Sequence, residues 1–126
     1  MAGNAVVWFE IYVRDMDRAK AFYEAVFGVT LERIPTPADG LEMWSFQGDP
    51  AAYGSHGALV KMEGVAPGGG GTLVYFHCAD CAVEEARAAA AGGRIHRPKM
   101  SIGAYGHISL VEDTEGNLIG LHSMGR

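Results

Sequence analysis

Apolar, aromatic and β-branched residues dominate positions 6–13 (VVWFEIYV), a pattern that predicts a strand. Asp15 follows as an N-cap, its carboxylate able to accept from free amides of a first helical turn. Ala19, Phe22, Tyr23, Val26 and Phe27 then recur at the spacing of one helical face, and Gly28 ends the helix. Positions 31–34, 41–47 and 58–62 read as three shorter strands. They are separated by the turn formers Pro35, Pro37, Asp39, Gly40, Asp49, Pro50 and Gly54. Positions 66–71 (APGGGG) offer almost no side chains for anchoring and predict a hinge running over the surface.

Beyond the hinge the pattern restarts. A strand over 72–78 (TLVYFHC) leads to a second N-cap, Asp80. Val83, Ala86 and Ala90 mark the inner face of a second helix, which Gly92 and Gly93 close. Asp15 and Asp80 lie 65 positions apart, as do Gly28 and Gly93, and the same shift lays 44–46 on 109–111. The final strands, 58–62 and 118–122, correspond at a slightly shorter spacing. This is an internal duplication of a βαβββ pattern with little residue identity. The chain therefore reads as α+β and as one domain over 1–126. Module one covers about 4–64, the glycine-rich hinge 66–71, and module two about 72–124.

Composition narrows the function. A chain of 126 residues, 48% hydrophobic and 20% charged, has the balance of a globular domain with a sizeable core. The net charge of −5 and the lack of a basic stripe in the sequence argue against nucleic acid as a partner. No apolar run is long enough to cross a bilayer, and the first residues lack a basic stretch followed by an apolar one. Two cysteines make no disulfide framework. A cytoplasmic location is the expectation.

Positions 9–28 (FEIYVRDMDRAKAFYEAVFG) resemble the opening strand and helix of the vicinal-oxygen-chelate superfamily, which holds glyoxalases, bleomycin-resistance proteins and extradiol dioxygenases. Positions 113–121 (DTEGNLIGL) resemble its closing turn, Asp-Pro-Asp-Gly-Asn-x-(Ile/Leu)-Glu-Leu. The resemblance covers nearly the whole chain. It implies two βαβββ modules whose curved mixed sheets form an open, barrel-like cup for a small-molecule ligand, with the helices outside. It also implies a homodimer.

Catalytic members of that superfamily hold one divalent metal with inward His, Glu or Gln side chains and use its open positions to bind substrate oxygens. The matching positions here are Trp8, Leu73, Gly120 and, by a looser alignment, Val60, none of which can coordinate Zn, Mn, Fe or Ni. No cofactor is therefore expected at the family's metal positions.

Strand alternation gives Glu10 and Tyr12 the same face as Trp8, Tyr75 and His77 that of Leu73, and His122 that of Gly120. Glu10, His77 and His122 form a displaced alternative for a divalent metal, the carboxylate and two histidines suiting Fe, Mn or Zn. Without a metal, Glu10 is the candidate catalytic group, as a general base, or else it orients a ligand's amine or hydroxyl. Trp8, Trp44, Phe46 and Tyr75 are expected in the core or cup wall, and Trp8, Glu10, Tyr12, Trp44, Tyr75, His77 and His122 are the ligand-contact candidates. In the loop 99–107, Tyr105 and His107 are expected to border the ligand. His56 and His96 read as surface residues.

Cys78 and Cys81 have C-x-x-C spacing, but their flanks lack a thioredoxin pattern and no second pair exists for zinc, so they read as ordinary thiols. The glycines of 68–71 are followed by no Lys-Ser/Thr and no helix, which excludes a phosphate loop. Two functions stay open. One is a metal-free binding protein similar to the bleomycin-resistance branch, its acidity suiting a neutral or cationic ligand. The other is a lyase, isomerase or dioxygenase-like enzyme working through Glu10. A purely structural or partner-binding dimer has no positive sign in the sequence.

Overall fold

The computed structural model describes residues 3–36, 39–68, 70–114 and 116–125. Pro37 among the predicted turn formers, Gly69 of the hinge and Glu115 of the closing turn lie outside the described residues. The chain forms two compact units, one of residues 8–72 and one joining the N-terminal residues through Val7 to those from Leu73 onward.

In the first unit, strand β1 (Val6–Tyr12) contributes Trp8 to Tyr12. Helix α1 (Met16–Phe27) and strands β2 (Leu31–Ile34), β3 (Leu41–Phe46) and β4 (His56–Met62) follow. The strand order is β2-β3-β4-β1, antiparallel except for the parallel β4–β1 pair. Asp15 caps α1 as predicted, accepting from the Arg18 amide at 3.0 Å. Gly28 ends the helix at φ 64°, a left-handed conformation that glycine adopts at little cost.

Of the predicted helical face, Ala19 and Tyr23 pack on the core of Val13, Met16, Leu31 and Leu59, whereas Phe22, Val26 and Phe27 are exposed. The correction has a geometric cause. The five apolar positions span a wide arc, and the sheet accepts only the narrower stripe of Met16, Ala19 and Tyr23. Cross-strand neighbours share a face. Phe9, Ile11, Leu31, Trp44, Phe46, Gly57 and Leu59 thus face α1, and a Cβ on Gly57 would overlap the Phe9 ring.

The second unit repeats the plan. Strand β5 (Thr72–His77) leads to helix α2 (Cys81–Ala90), then to β6 (Arg94–Ser101), a short 3-10 turn (Gly103–Tyr105), β7 (His107–Glu112) and β8 (Leu118–Ser123). The order is β5-β8-β7-β6, with β5 and β8 parallel and the other pairs antiparallel. This unit therefore carries the same βαβββ topology, as the repeat predicts, and the class is α+β. Edge strand β6 carries two register shifts, around positions 96 and 98–99, of the kind that blunts an open edge.

The predicted inner face of α2, Val83, Ala86 and Ala90, is exposed. Cys81 and Ala88 face the sheet, and Glu85 joins them by accepting from Ser109 Oγ at 2.8 Å and the Lys99 amide at 2.6 Å. A polar residue on the packed side hides the helix's register from an apolar count, and these bonds offset its burial. Asp80 caps α2 through the Ala82 amide and pairs with Lys99 Nζ at 2.9 Å.

Among the described residues no helix is long and apolar enough to cross a membrane. Cys78 and Cys81 are free and buried in the α2-side core with Val111 and Leu121. Burial, with the nearby Glu84 carboxylate adding to it, pushes the Cys78 thiol up from 9.0 to about 11. The unfolded chain therefore loses this proton first, so stability falls as pH rises from 9.0 towards about 11 and is unaffected by this group below that window. At pH 8 the folded protein is expected to resist iodoacetamide at both cysteines and to react at both once denatured, read by mass spectrometry.

Candidate functional site

The opposite face carries Trp8, Glu10 and Tyr12 in the first unit and Tyr75, His77 and His122 in the second. In β1, Trp8, Glu10 and Tyr12 alternate with the helix-facing Phe9 and Ile11. Glu10 is buried at 9% exposure. Its carboxylate accepts from Trp8 Nε1 at 3.1 Å through one oxygen and from the Tyr12 hydroxyl at 2.6 Å through the other. The three side chains form a local clamp two residues apart on a single strand face. Burying a carboxylate is costly unless it is hydrogen-bonded, and these two donors supply that requirement. The register places Glu10 beside Ala58 and Tyr12 beside Val60, both buried. A carboxylate held by an indole and a phenol keeps unused lone pairs for a ligand's N–H or O–H.

Trp44 does not share this face. It packs on the α1-side core, donates Nε1–H to Glu42 at 2.8 Å, and carries the Lys20 ammonium 3.3 Å from its ring centroid. The alternation of β3 explains this correction. Trp44 is paired with Leu59 and Arg33, so it falls in the helix-facing row.

In the second unit, Leu73, Tyr75 and His77 of β5 share a face with Gly120 and His122 of β8. Tyr75 pairs with Gly120, and His77 with His122. The Tyr75 ring lies over Gly120, where a Cβ would overlap it. The His122 ring meets the Tyr105 carbonyl at 2.6 Å through Nε2; a carbonyl only accepts, so Nε2–H is the donor. Tyr105 itself is 61% exposed.

His107 alternates with Ser109 and Val111 and so lies on the α2 side, away from His122. Its Nδ1 is buried without a hydrogen-bond partner among the described residues. The regular pairing of β7, which begins at His107 instead of after it, accounts for that correction. Arg97, which the sequence did not suggest, stands in the row of Leu110, Gly120 and Tyr75. The register shifts on both sides of it make its face unreadable from spacing. His56 begins β4 half-buried with its ring beside Gly48, while His96 is exposed in β6.

The residues at the superfamily's metal positions do not fit a metal. Trp8 offers an N–H already given to Glu10, Leu73 is a buried aliphatic, and the space beside Gly120 is filled by Tyr75. By strand register the counterpart of Gly120 is Ala58, two residues before Val60 on the same face, and it too lacks a donor. Among the described residues no group of three His, Cys, Asp or Glu side chains is arranged to hold a metal ion. The Tyr75–Gly120 packing makes a specific demand. Gly120→Ala is expected to lower stability by about 1–3 kcal/mol through overpacking. Tyr75→Ala in the same chain is expected to recover part of that loss in a denaturant double-mutant cycle.

The sequence from 5 to 121 matches the profile of the Glyoxalase/Bleomycin resistance protein/Dioxygenase superfamily. Two mycobacterial proteins, each described as "Putative glyoxylase CFP32", from Mycobacterium bovis and Mycobacterium tuberculosis, are 27% identical over 125 residues. That match covers 94% of this chain and 45% of each relative, so the chain spans about half the length of those proteins. A methylmalonyl-CoA epimerase of Streptomyces coelicolor superposes with a TM-score of 0.69 at 17% identity, covering 98% of this chain and 99% of that one. The Mycobacterium tuberculosis methylmalonyl-CoA epimerase gives 0.66 at 18% identity, with 97% and 89% covered. A hypothetical protein of Bacillus halodurans gives 0.71 at 10% identity, with 96% and 94% covered. At such identities the structural likeness speaks for the fold, and the profile match for the lineage: the chain belongs to the glyoxalase, bleomycin-resistance and dioxygenase superfamily.

Proposed function

We propose that this protein binds a small organic molecule through the Trp8–Glu10–Tyr12 face and does so without the superfamily's usual metal site. The observation that carries this reading is the Glu10 carboxylate, buried and fixed by two aromatic donors, with lone pairs left over. A rigid acceptor flanked by aromatic surface suits a neutral or cationic planar ligand that presents an N–H or O–H. Glyoxylase and epimerase are the activities named for relatives and structural neighbours. Binding is preferred here because the side chains at the metal positions lack donors. In the other unit, taken by itself, Tyr75, His77, Tyr105 and His122 are further ligand-contact candidates. A homodimer in the cytoplasm completes the reading.

A second reading is favoured by one observation. His77 and His122 are register partners on one face, and His122 meets the Tyr105 carbonyl through Nε2 alone, not Nδ1. In this reading the protein is a lyase, isomerase or dioxygenase-like enzyme. Glu10 would serve as general base, and the His77–His122 pair of the other unit is a separate candidate for holding a ligand or ion.

Quenching of tryptophan fluorescence by a panel of planar amines and phenols tests the first reading. A saturable quencher is expected to lose affinity about tenfold or more in Glu10→Gln, since a hydrogen bond to a charged acceptor contributes about 1.5–3 kcal/mol. Tyr12→Phe is expected to show a smaller loss. A panel with no saturable quencher, or a quencher indifferent to Glu10→Gln, contradicts the reading.

A further inference from the structure

A concavity of about 820 Å³ lies in the first unit, at the strand ends formed by Leu41–Glu42 and Lys61–Met62. An adjoining one of about 450 Å³ shares Arg14, Glu42 and Lys61 with it. Val13, Leu41 and Met62 supply apolar surface, and the chain from Gly64 to Pro67 forms one wall. Glu42 and Lys61 are register partners, and Arg33 pairs with Trp44 in the neighbouring row. The charged groups therefore project from the face opposite Glu10.

Arg14, Arg33 and Lys61 all line this space and all are exposed. Among the described residues none of the three lies within 4.0 Å of a carboxylate. The ion pairs present are Arg94–Glu112 and Lys99–Asp80, in the other unit. Three cations without an ion-pair partner thus share one concavity in a chain of net charge −5, with Asp15 and Asp17 bordering the adjoining space. The carboxylates of Glu42 and Glu63 also line it. Glu42 already accepts from the Trp44 indole, and Glu63 Oε2 lies beside Gly40.

From this lining we propose a second binding site, for a small phosphate ester that carries hydroxyl groups. Guanidinium forks and an ammonium match phosphate oxygens in charge and direction. The two carboxylates accept hydroxyl protons, which an inorganic anion would not offer. The volume falls within the range of about 300–1,000 Å³ usual for small-molecule sites. None of Trp8, Glu10 and Tyr12 lines this space, so the two proposals fail independently.

Calorimetric titration of the full chain at low salt with ADP, ribose 5-phosphate and adenosine tests it. Both phosphate esters are expected to bind saturably and adenosine to give no signal. Arg33→Ala and Lys61→Ala are each expected to weaken binding about tenfold, the scale of one charge-assisted contact. Arg87→Ala, which removes an exposed cation from α2, is expected to leave binding unchanged. Circular dichroism checks that each variant is folded. No saturable binding of either ester, wild-type affinity in both Arg33→Ala and Lys61→Ala, or an equal loss in Arg87→Ala overturns the proposal.

Discussion

In each unit the first strand runs parallel to the last, and that pairing sets the chemistry of both faces. A parallel pair cannot be closed by a tight turn. The chain must cross over, and here a helix and two antiparallel strands fill the crossover. In the first unit the pairing runs from Trp8↔His56 to Tyr12↔Val60. In the second it places Tyr75 against Gly120 and His77 against His122. Because side chains alternate, a slip of one residue in β1 would turn Glu10 towards Leu59 and Val13 and expose Ile11. The helix-facing apolar rows therefore hold the register that the polar face depends on.

On that polar face, groups that could have been free are engaged by near neighbours. The Glu10 oxygens accept from Trp8 and Tyr12, His122 Nε2 meets the Tyr105 carbonyl, and the Tyr75 ring covers Gly120. Each of these contacts lies within one unit and spans short distances in sequence or register. Within each unit these contacts fix polar groups before any ligand arrives, the preorganisation that the proposed binding calls for.

Much of this was legible in the sequence, since strand alternation and cap residues are local signals. Asp15, Gly28 and Asp80 bound the helices as expected, and the shared face of Trp8, Glu10 and Tyr12 follows from a period of two. Three things were not legible. The packed side of α2 includes Glu85, which an apolar count cannot find, and the packed side of α1 leaves Phe22, Val26 and Phe27 exposed. The faces of Trp44 and His107 depend on where β3 and β7 begin and on what they pair with. The convergence of Arg14, Arg33 and Lys61 joins three segments, so no stretch of sequence reads as basic.

The account stands on Glu10 being a hydrogen-bonded recognition group and not a metal ligand. The most direct test is elemental analysis of protein purified without chelator and then offered Zn, Mn, Fe or Ni. The account predicts substoichiometric metal that does not respond to Glu10→Ala or His77→Ala. One metal ion per chain, lost in both variants, would contradict it.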